Sequence, residues 1–175
     1  MKAVYPIATR CIDCHLCEIA CIIEHSQTKS PVSAHFLEGL QFNWQLSRGY
    51  ADPAEAKAAV RPSPLSRCRV SANSFRFIST MCRHCEVAEC VLACKNGALY
   101  RDASGRVLVN EKKCIGCWMC IMACSYGAIT RNIDRQNVPG VAGNGVNHHC
   151  DLCPNRRTPA CVYVCPTQAL AYEER

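Results

Sequence analysis

The sequence contains no run of about twenty apolar residues, so no part of it reads as a bilayer-spanning helix. It has no phosphate loop and no Ser–His–Asp set. The GNG at Gly143 to Gly145 lacks the flanking strand, helix and third glycine of a dinucleotide fingerprint. Basic residues are scattered, as at Arg67, Arg69, Arg76, Arg83, Arg101 and Arg106, and never form a run. The opening MKAVYPIATRC lacks the apolar core and small-residue cleavage site of a secretory signal. These absences argue against a membrane span, a nucleotide enzyme, a hydrolytic triad and a nucleic-acid partner.

Cysteine, by contrast, is abundant: 17 of 175 residues. In a short secreted chain that density would indicate a disulfide scaffold. Here the count is odd and the thiols are bunched, whereas bridges staple distant segments. The chain therefore reads as a cytoplasmic protein whose thiols stay reduced and available to metal. The formal charge of +6 counts cysteine as neutral, but metal-bound thiols are deprotonated outright. If sixteen thiolates hold four cores of about +2 each, the loaded protein carries about −2. Lys and Arg then balance anionic centres, and the nucleic-acid reading loses its basis.

Sixteen of the cysteines fall into four quartets. The first is CIDCHLCEIAC (Cys11, Cys14, Cys17, Cys21) and the second CRHCEVAECVLAC (Cys82, Cys85, Cys90, Cys94). The third is CIGCWMCIMAC (Cys114, Cys117, Cys120, Cys124) and the fourth CDLCPNRRTPACVYVC (Cys150, Cys153, Cys161, Cys165). A gap of two residues opens every quartet and a gap of three closes it. The middle gap is stretched to four and seven in the second and fourth. Apolar strands flank them: KAVYPI, FRFISTM and RVLVN before, and KNGALYR, SYGAITR and PTQALAY after, each of the latter opening on a turn. The repeating unit is strand, cysteine loop, short helix, turn, strand.

Three cysteines at two-residue gaps wrap one cuboidal iron–sulfur cluster. The fourth is expected on the helix that starts there, pointing to a different cluster, as in the C-x-x-C-x-x-C-x-x-x-C-P run of two-cluster ferredoxins. Of the four closing cysteines only Cys165 is followed by proline, Pro166; Ile22, Lys95 and Ser125 stand after the other three. Zinc is the competing reading, but it calls for four ligands, usually as two pairs across a long loop. We expect four [4Fe-4S] clusters.

Between Cys94 and Cys114 lie nineteen residues, enough for two strands and a turn at Asp102 to Gly105. That hairpin makes the second and third quartets one module. Cys82, Cys85 and Cys90 then share a cluster with Cys124, and Cys114, Cys117 and Cys120 share one with Cys94. The first and fourth are left to each other: Cys11, Cys14 and Cys17 with Cys165, and Cys150, Cys153 and Cys161 with Cys21. The alternative pairs first with second and third with fourth, which requires one module to span Ile22 to Met81. The expected fold is α+β, a single polyferredoxin domain over 1–175. Its inner ferredoxin-like module is 76–132, nested in an outer module of 1–25 plus 146–175, with an insert at 26–75.

With these motifs the sequence resembles the four-cluster, ferredoxin-like electron-transfer subunits of multi-subunit redox enzymes: carbon monoxide dehydrogenase, tungsten aldehyde oxidoreductase, formate hydrogenlyase and molybdopterin oxidoreductase systems. The opening MKAVYPIATRCIDCHLCEIACIIEHSQTKS carries the closest likeness, to the small subunit of carbon monoxide dehydrogenase systems. The resemblance implies the nested ligation and a non-catalytic role. Electrons would pass between a larger catalytic subunit and a further donor or acceptor protein; self-association is a question the sequence leaves open. The rival reading is a redox sensor or assembly protein with labile clusters, which predicts an incomplete motif or an effector domain.

In the insert, Asp52 and Pro53 open a short helix over AEAKAAV that RPSP ends. Phe36, Leu37, Leu40, Phe42, Trp44 and Leu46 either cover the first module or dock the partner. Val138 to His149 reads as a Gly-rich connector. Cys68 is the odd cysteine, read as a buried or free thiol. His15, His84, His148 and His149 lie in or beside complete quartets, which suits hydrogen bonding around a centre better than ligation. Trp118 and Met119, between ligands, read as a water shield.

Overall fold

The computed structural model describes residues 1–38, 66–73, 76–132 and 145–174. The helix expected after Asp52, and the apolar residues from Leu40 to Leu46, lie outside them. The strands are β1 (Lys2–Pro6), β2 (Cys68–Asn73), β3 (Arg76–Met81), β4 (Leu99–Arg101), β5 (Val107–Val109), β6 (Thr130–Asn132), β7 (Val146–His148) and β8 (Leu170–Glu174). The helices are α1 (Leu16–His25), α2 (Pro31–Glu38), α3 (Glu89–Leu92), α4 (Met119–Ala123) and α5 (Ala160–Val164). Short 3-10 turns at Ala8–Arg10 and Glu111–Lys113 lead into the first and third quartets.

All eight strands are spent in four two-stranded antiparallel ribbons: β1 with β8, β2 with β3, β4 with β5, and β6 with β7. The first ribbon joins the ends of the chain, with Val4 opposite Tyr172 and Pro6 opposite Leu170. The helices pair in the same sense. α1 packs on α5, bringing the first and fourth quartets together, and α3 packs on α4, bringing the second and third together.

The hairpin between the second and third quartets turns at Asp102 to Gly105. The Gly105 N–H donates to the Asp102 carbonyl at 2.9 Å, and the Asp102 carboxylate accepts from the Arg106 N–H at 2.8 Å. Gly105 has φ +83°, a left-handed conformation that favours glycine, and a Cβ there would press within 3.0 Å of the flexible Met1 side chain.

Three elements lie where the sequence suggested none. The insert contains α2, which Ser30 and Pro31 start: the Ala34 N–H donates to the Ser30 carbonyl at 2.8 Å. The end of the insert is β2, which pairs along its whole length with β3. The connector ends in β7, whose Asn147 sits opposite Arg131 of β6. In each case a partner strand or a cap supplies what local periodicity did not show.

An isolated two-stranded ribbon is marginal in water, so something else must hold these four together. The apolar core is meagre. Among the described residues, eight of the twenty-four buried apolar side chains are cysteines and none is aromatic. The largest side chains that are fully buried are Val4, Val107, Val146 and Pro159. Val4 belongs to a cluster with Cys17, Cys21, Cys68, Cys82, Cys150 and Cys161, and Val107 to one with Leu99, Ile129, Ala88 and Cys120. With so few large groups inside, each counts. Val4→Ala removes two buried methyl groups and should cost about 2 kcal/mol. A lower midpoint in anaerobic thermal or urea unfolding, with the iron content matched to wild type, checks this.

Candidate metal centres

The residue before the second cysteine has positive φ in all four loops: Asp13 (57°), His84 (49°), Gly116 (65°) and Leu152 (63°). Three of these are not glycine, and each such conformation costs roughly 1–2 kcal/mol. The strain has a use. An N–H in this geometry turns inward and offers a donor to a negative group. The His84 N–H donates to Cys82 Sγ at 3.4 Å, and the Leu152 N–H to Cys150 Sγ at 3.4 Å.

The third cysteine is the second residue of a helix in every quartet: Cys17 in α1, Cys90 in α3, Cys120 in α4 and Cys161 in α5. The longer middle gaps of the second and fourth quartets are absorbed before the helix begins. The fourth cysteine differs from the expectation that it rides on that helix. Only Cys21 does so, because α1 continues to His25. Cys124 and Cys165 cap α4 and α5, and Cys94 lies just past α3. There the chain turns toward a strand, and an N–H at its start or just before it bonds the sulfur: Leu99 to Cys94 at 3.4 Å and Ala169 to Cys165 at 3.2 Å.

Among the described residues three hollows open between these elements. One is lined by Cys11, Cys14 and Cys17 together with Cys165. A second is lined by Cys114, Cys117 and Cys120 with Cys94, and also by Trp118 and Met119. A third is lined by Cys82, Cys85 and Cys90 with Cys124. The remaining four are all buried, with Cys21 and Cys161 near enough to Cys150 and Cys153 to raise their thiols further.

The spacing of the sulfurs decides what such a hollow fits. Four thiolates on one zinc ion lie about 3.8 Å apart, the edge of a tetrahedron with 2.3 Å bonds. Among the described residues no three cysteine sulfurs gather within 4.8 Å; the one compact trio of metal-binding types is His25, Asp151 and Cys153. Arg67 Nη1 lies 2.7 Å from Asp151 of that trio and already supplies a cation. Thiolates on separate irons of a cuboidal cluster stand farther apart around an open centre, and the cysteine-lined hollows suit that geometry. Burial pushes the Cys82 and Cys153 thiols up to about 12 and Cys90 up to about 11. The protein alone keeps them protonated at neutral pH, and metal must displace the protons.

The histidines serve as braces. His15 lies 3.0 Å from Glu18 through Nδ1, and Glu18 accepts the Val70 N–H at 2.5 Å, fixing β2 against α1. Burial pushes His84 down to about 4, so its ring is neutral. Its Nδ1 accepts the Val107 N–H at 2.9 Å, and its Nε2–H is buried with no protein partner among the described residues. An orphaned donor beside a cysteine loop fits a sulfur-rich anionic group. His149 Nε2 donates to the Val107 carbonyl at 3.0 Å, and its Nδ1 lies 2.5 Å from Asn147 Oδ1. Asn147 Nδ2 in turn donates to Cys120 Sγ at 3.2 Å. The His148 carbonyl accepts from the Thr130 hydroxyl at 3.3 Å.

Sequence reasoning missed the network behind Cys21. His25 Nε2 donates to Asp151 at 3.1 Å, Arg67 holds the other carboxylate oxygen, and the Cys153 N–H donates to Asp151 at 3.0 Å. His25 Nδ1 donates to the Cys21 carbonyl at 2.7 Å. The i, i+4 spacing of Cys21 and His25 on a helix was its only trace in the sequence. Burial opposes charge on His25, but the hydrogen bonds its ring donates to Asp151 and Cys21 prevail and raise it to about 10. Burial likewise opposes charge on Asp151, and His25 with Arg67 hold it well below the usual carboxylate range.

The depressed carboxylate contributes fully above about pH 3.9, and the raised imidazole fully below about pH 6.5, fading as the pH climbs to about 10. Asp151→Asn should therefore cost about 2–3 kcal/mol near pH 6. The deficit should shrink toward pH 10 without vanishing, because Arg67 stays charged. Unfolding midpoints of the two proteins at pH 6 and pH 10 measure it.

The 4Fe-4S dicluster domain family matches residues 73–175. An "Iron-sulfur protein" of Rhodospirillum rubrum is 36% identical over 174 residues, covering 95% of this chain and 79% of that protein. The electron transport protein HydN of Escherichia coli K12 is 33% identical over 176 residues, covering 96% and 85%. The thiosulfate reductase electron transfer subunit PhsB of Salmonella typhi is 32% identical over 168 residues, covering 93% and 70%. No helix among the described residues is long and apolar enough to cross a membrane. Cysteine loops shaped to face anionic metal centres, a family match over more than half the chain, and relatives a third identical along nearly all of it place this protein in the 4Fe-4S dicluster domain family of iron–sulfur proteins.

Proposed function

We propose that the chain is a four-cluster electron-transfer subunit, without substrate chemistry of its own. It would relay electrons between a catalytic redox subunit, of tungsten aldehyde oxidoreductase or carbon monoxide dehydrogenase type, and a further carrier protein in the cytoplasm. Cys11, Cys14, Cys17 and Cys165 would hold one [4Fe-4S] cluster, and Cys21, Cys150, Cys153 and Cys161 a second. Cys82, Cys85, Cys90 and Cys124 would hold a third, and Cys94, Cys114, Cys117 and Cys120 a fourth. This makes the protein two ferredoxin-like modules, the inner nested in the outer.

The observation that carries the reading is the lining of the three hollows. Each takes three cysteines from one quartet and the fourth from another, which is the exchange a pair of neighbouring cubanes requires. Two clusters need eight thiolates, yet residues 73–175 alone contain twelve quartet cysteines, and the first quartet lies ahead of them. The names of HydN and PhsB support the electron-transfer role.

Each cluster, when bound, supplies a one-electron centre whose irons are fully ligated by protein. The side chains decide where partners approach. Cys14 and Cys117 are exposed, beside the exposed apolar residues Ile12 and Leu16 in one case and Ile115 and Met119 in the other. These two rims suit contact with redox partners, while the all-buried set at Cys21 suits passage between them. Trp118, with the Arg131 guanidinium 4.8 Å from its ring centre, screens the second rim from water.

Anaerobically purified protein should contain about sixteen iron atoms and as many acid-labile sulfides. A reproducible count near eight would reduce the relay to two centres and overturn this assignment. The protein should also co-purify with a larger redox subunit and speed its reduction of an acceptor; equal rates without it would remove the relay role.

A further inference from the structure

Asn147 is 2% exposed and lines the hollow formed by Cys94, Cys114, Cys117 and Cys120. Apart from Asn96, the rest of that lining is aliphatic, aromatic or sulfur. Asn96 is exposed and turns its amide nitrogen to the Lys113 carbonyl at 3.5 Å, so Asn147 is the buried amide of the pair. Burying an amide is costly unless its polar atoms find partners. A strand position beside Val146 would accept an apolar residue as readily, so the amide itself needs a reason.

The reason lies in what its two ends touch. Asn147 Nδ2 donates to Cys120 Sγ at 3.2 Å. A thiolate bound to metal has no proton to give, so the nitrogen is the end that can face it. The other end is held as well: Oδ1 lies 2.5 Å from His149 Nδ1, and His149 Nε2 donates to the Val107 carbonyl at 3.0 Å. β7 fixes the backbone, setting Asn147 opposite Arg131, whose guanidinium covers the Trp118 ring of the same hollow. His25 and Thr167 stand farther from the sulfurs near them, each at 3.8 Å, from Cys21 and Cys165 respectively. All four cysteines of this hollow fall within residues 76–132, yet the amide arrives from β7, beyond that span.

We propose that Asn147 is a positioning residue whose side-chain amide donates a hydrogen bond to the Cys120 ligand sulfur, raising the reduction potential of the centre held by Cys94, Cys114, Cys117 and Cys120. The inference rests on the ligand reading given above. A donor to a ligand sulfur stabilises the more negative, reduced state, and the bond strengthens as charge accumulates on the acceptor. The bond also lies on the closed side of the hollow: Cys120 is buried, whereas Cys117 on the rim is exposed. Away from water such a bond is electrostatically stronger. The centre whose cysteines all come from the inner stretch thus takes this donor from the segment that leads into the fourth quartet.

The test compares Asn147→Leu and Asn147→Val with wild type in the full, anaerobically loaded chain, by iron analysis and by potentiometric titration followed by electron paramagnetic resonance. Neither variant has a donor; leucine keeps the volume and valine suits the strand. Each should keep the wild-type iron content. One centre should show about a tenfold lower ratio of reduced to oxidised form at a fixed potential, equivalent to 59 mV for one electron. In wild type, that centre's signal should carry hyperfine coupling to isotope-labelled asparagine nitrogen, and both variants should lose it. Unshifted potentials at full iron content would overturn the proposal, as would a shift at a centre without that coupling. Loss of one cluster's iron in both variants would also overturn it, making Asn147 a structural brace alone. A wild-type count far from about sixteen irons counts against the ligand reading itself. Normal iron with unshifted potentials counts only against Asn147.

Discussion

A cysteine that leaves its own quartet to line the hollow of another ties together two stretches of chain, and most of the architecture follows from that exchange. Cys165 reaches the loop of Cys11 only if the end of the chain returns to its start. β1 and β8 pair and α1 packs on α5 in the way that return demands. Cys94 and Cys124 exchange across a far shorter distance, so one hairpin between them is enough. The ribbons are short because their task is to bring loops together; they do not build a sheet.

This arrangement leaves little for the hydrophobic effect to do. Among the described residues the largest fully buried side chains are three valines and a proline, so little large apolar surface is buried there. Cysteine occupies much of the remaining interior, and buried thiols without metal are weakly cohesive neighbours. The left-handed residue before the second cysteine of each loop, glycine in only one of the four, adds a cost. In proteins of this kind the free energy of metal binding is folding free energy, because the ligand geometry does not exist in the unfolded chain. The inward N–H groups favour a thiolate while burial pushes the thiols up, so a metal that displaces the protons meets donors already in place.

The elements closest to the cysteines were legible in the sequence because spacing there has a chemical meaning. The strands flanking the quartets and the turn at Asp102 to Gly105 follow from short apolar runs and turn residues. Gly116 signals its left-handed turn, but Asp13, His84 and Leu152 adopt the same conformation without any local sign, since the ligand loop imposes it. β2 and β7 were invisible for another reason. Val146–His148 is three residues long, and its strand character exists only in pairing with Thr130–Asn132. α2 has a local sign, Ser30 followed by Pro31, but it stands outside the cysteine repeat. The expectation that the fourth cysteine rides on the helix holds for Cys21 alone, because the helices after the other quartets stop at or before that residue.

The contacts between quartets are less regular than the quartets themselves, and they show how the repeats became one body. Val107 of the inner hairpin uses both of its backbone groups: its N–H binds His84 of the second quartet and its carbonyl binds His149, next to Cys150 of the fourth. His149 also lies against Asn147, whose amide nitrogen donates to Cys120 of the third. A single valine thus connects loops from three quartets through buried hydrogen bonds, with no charge pair and no large apolar contact. Such bonds are directional and lose most of their value if a partner shifts by an ångström. Where close and fixed spacing between centres matters more than stability, a directional lattice of this kind suits the task better than a larger but more forgiving oily core.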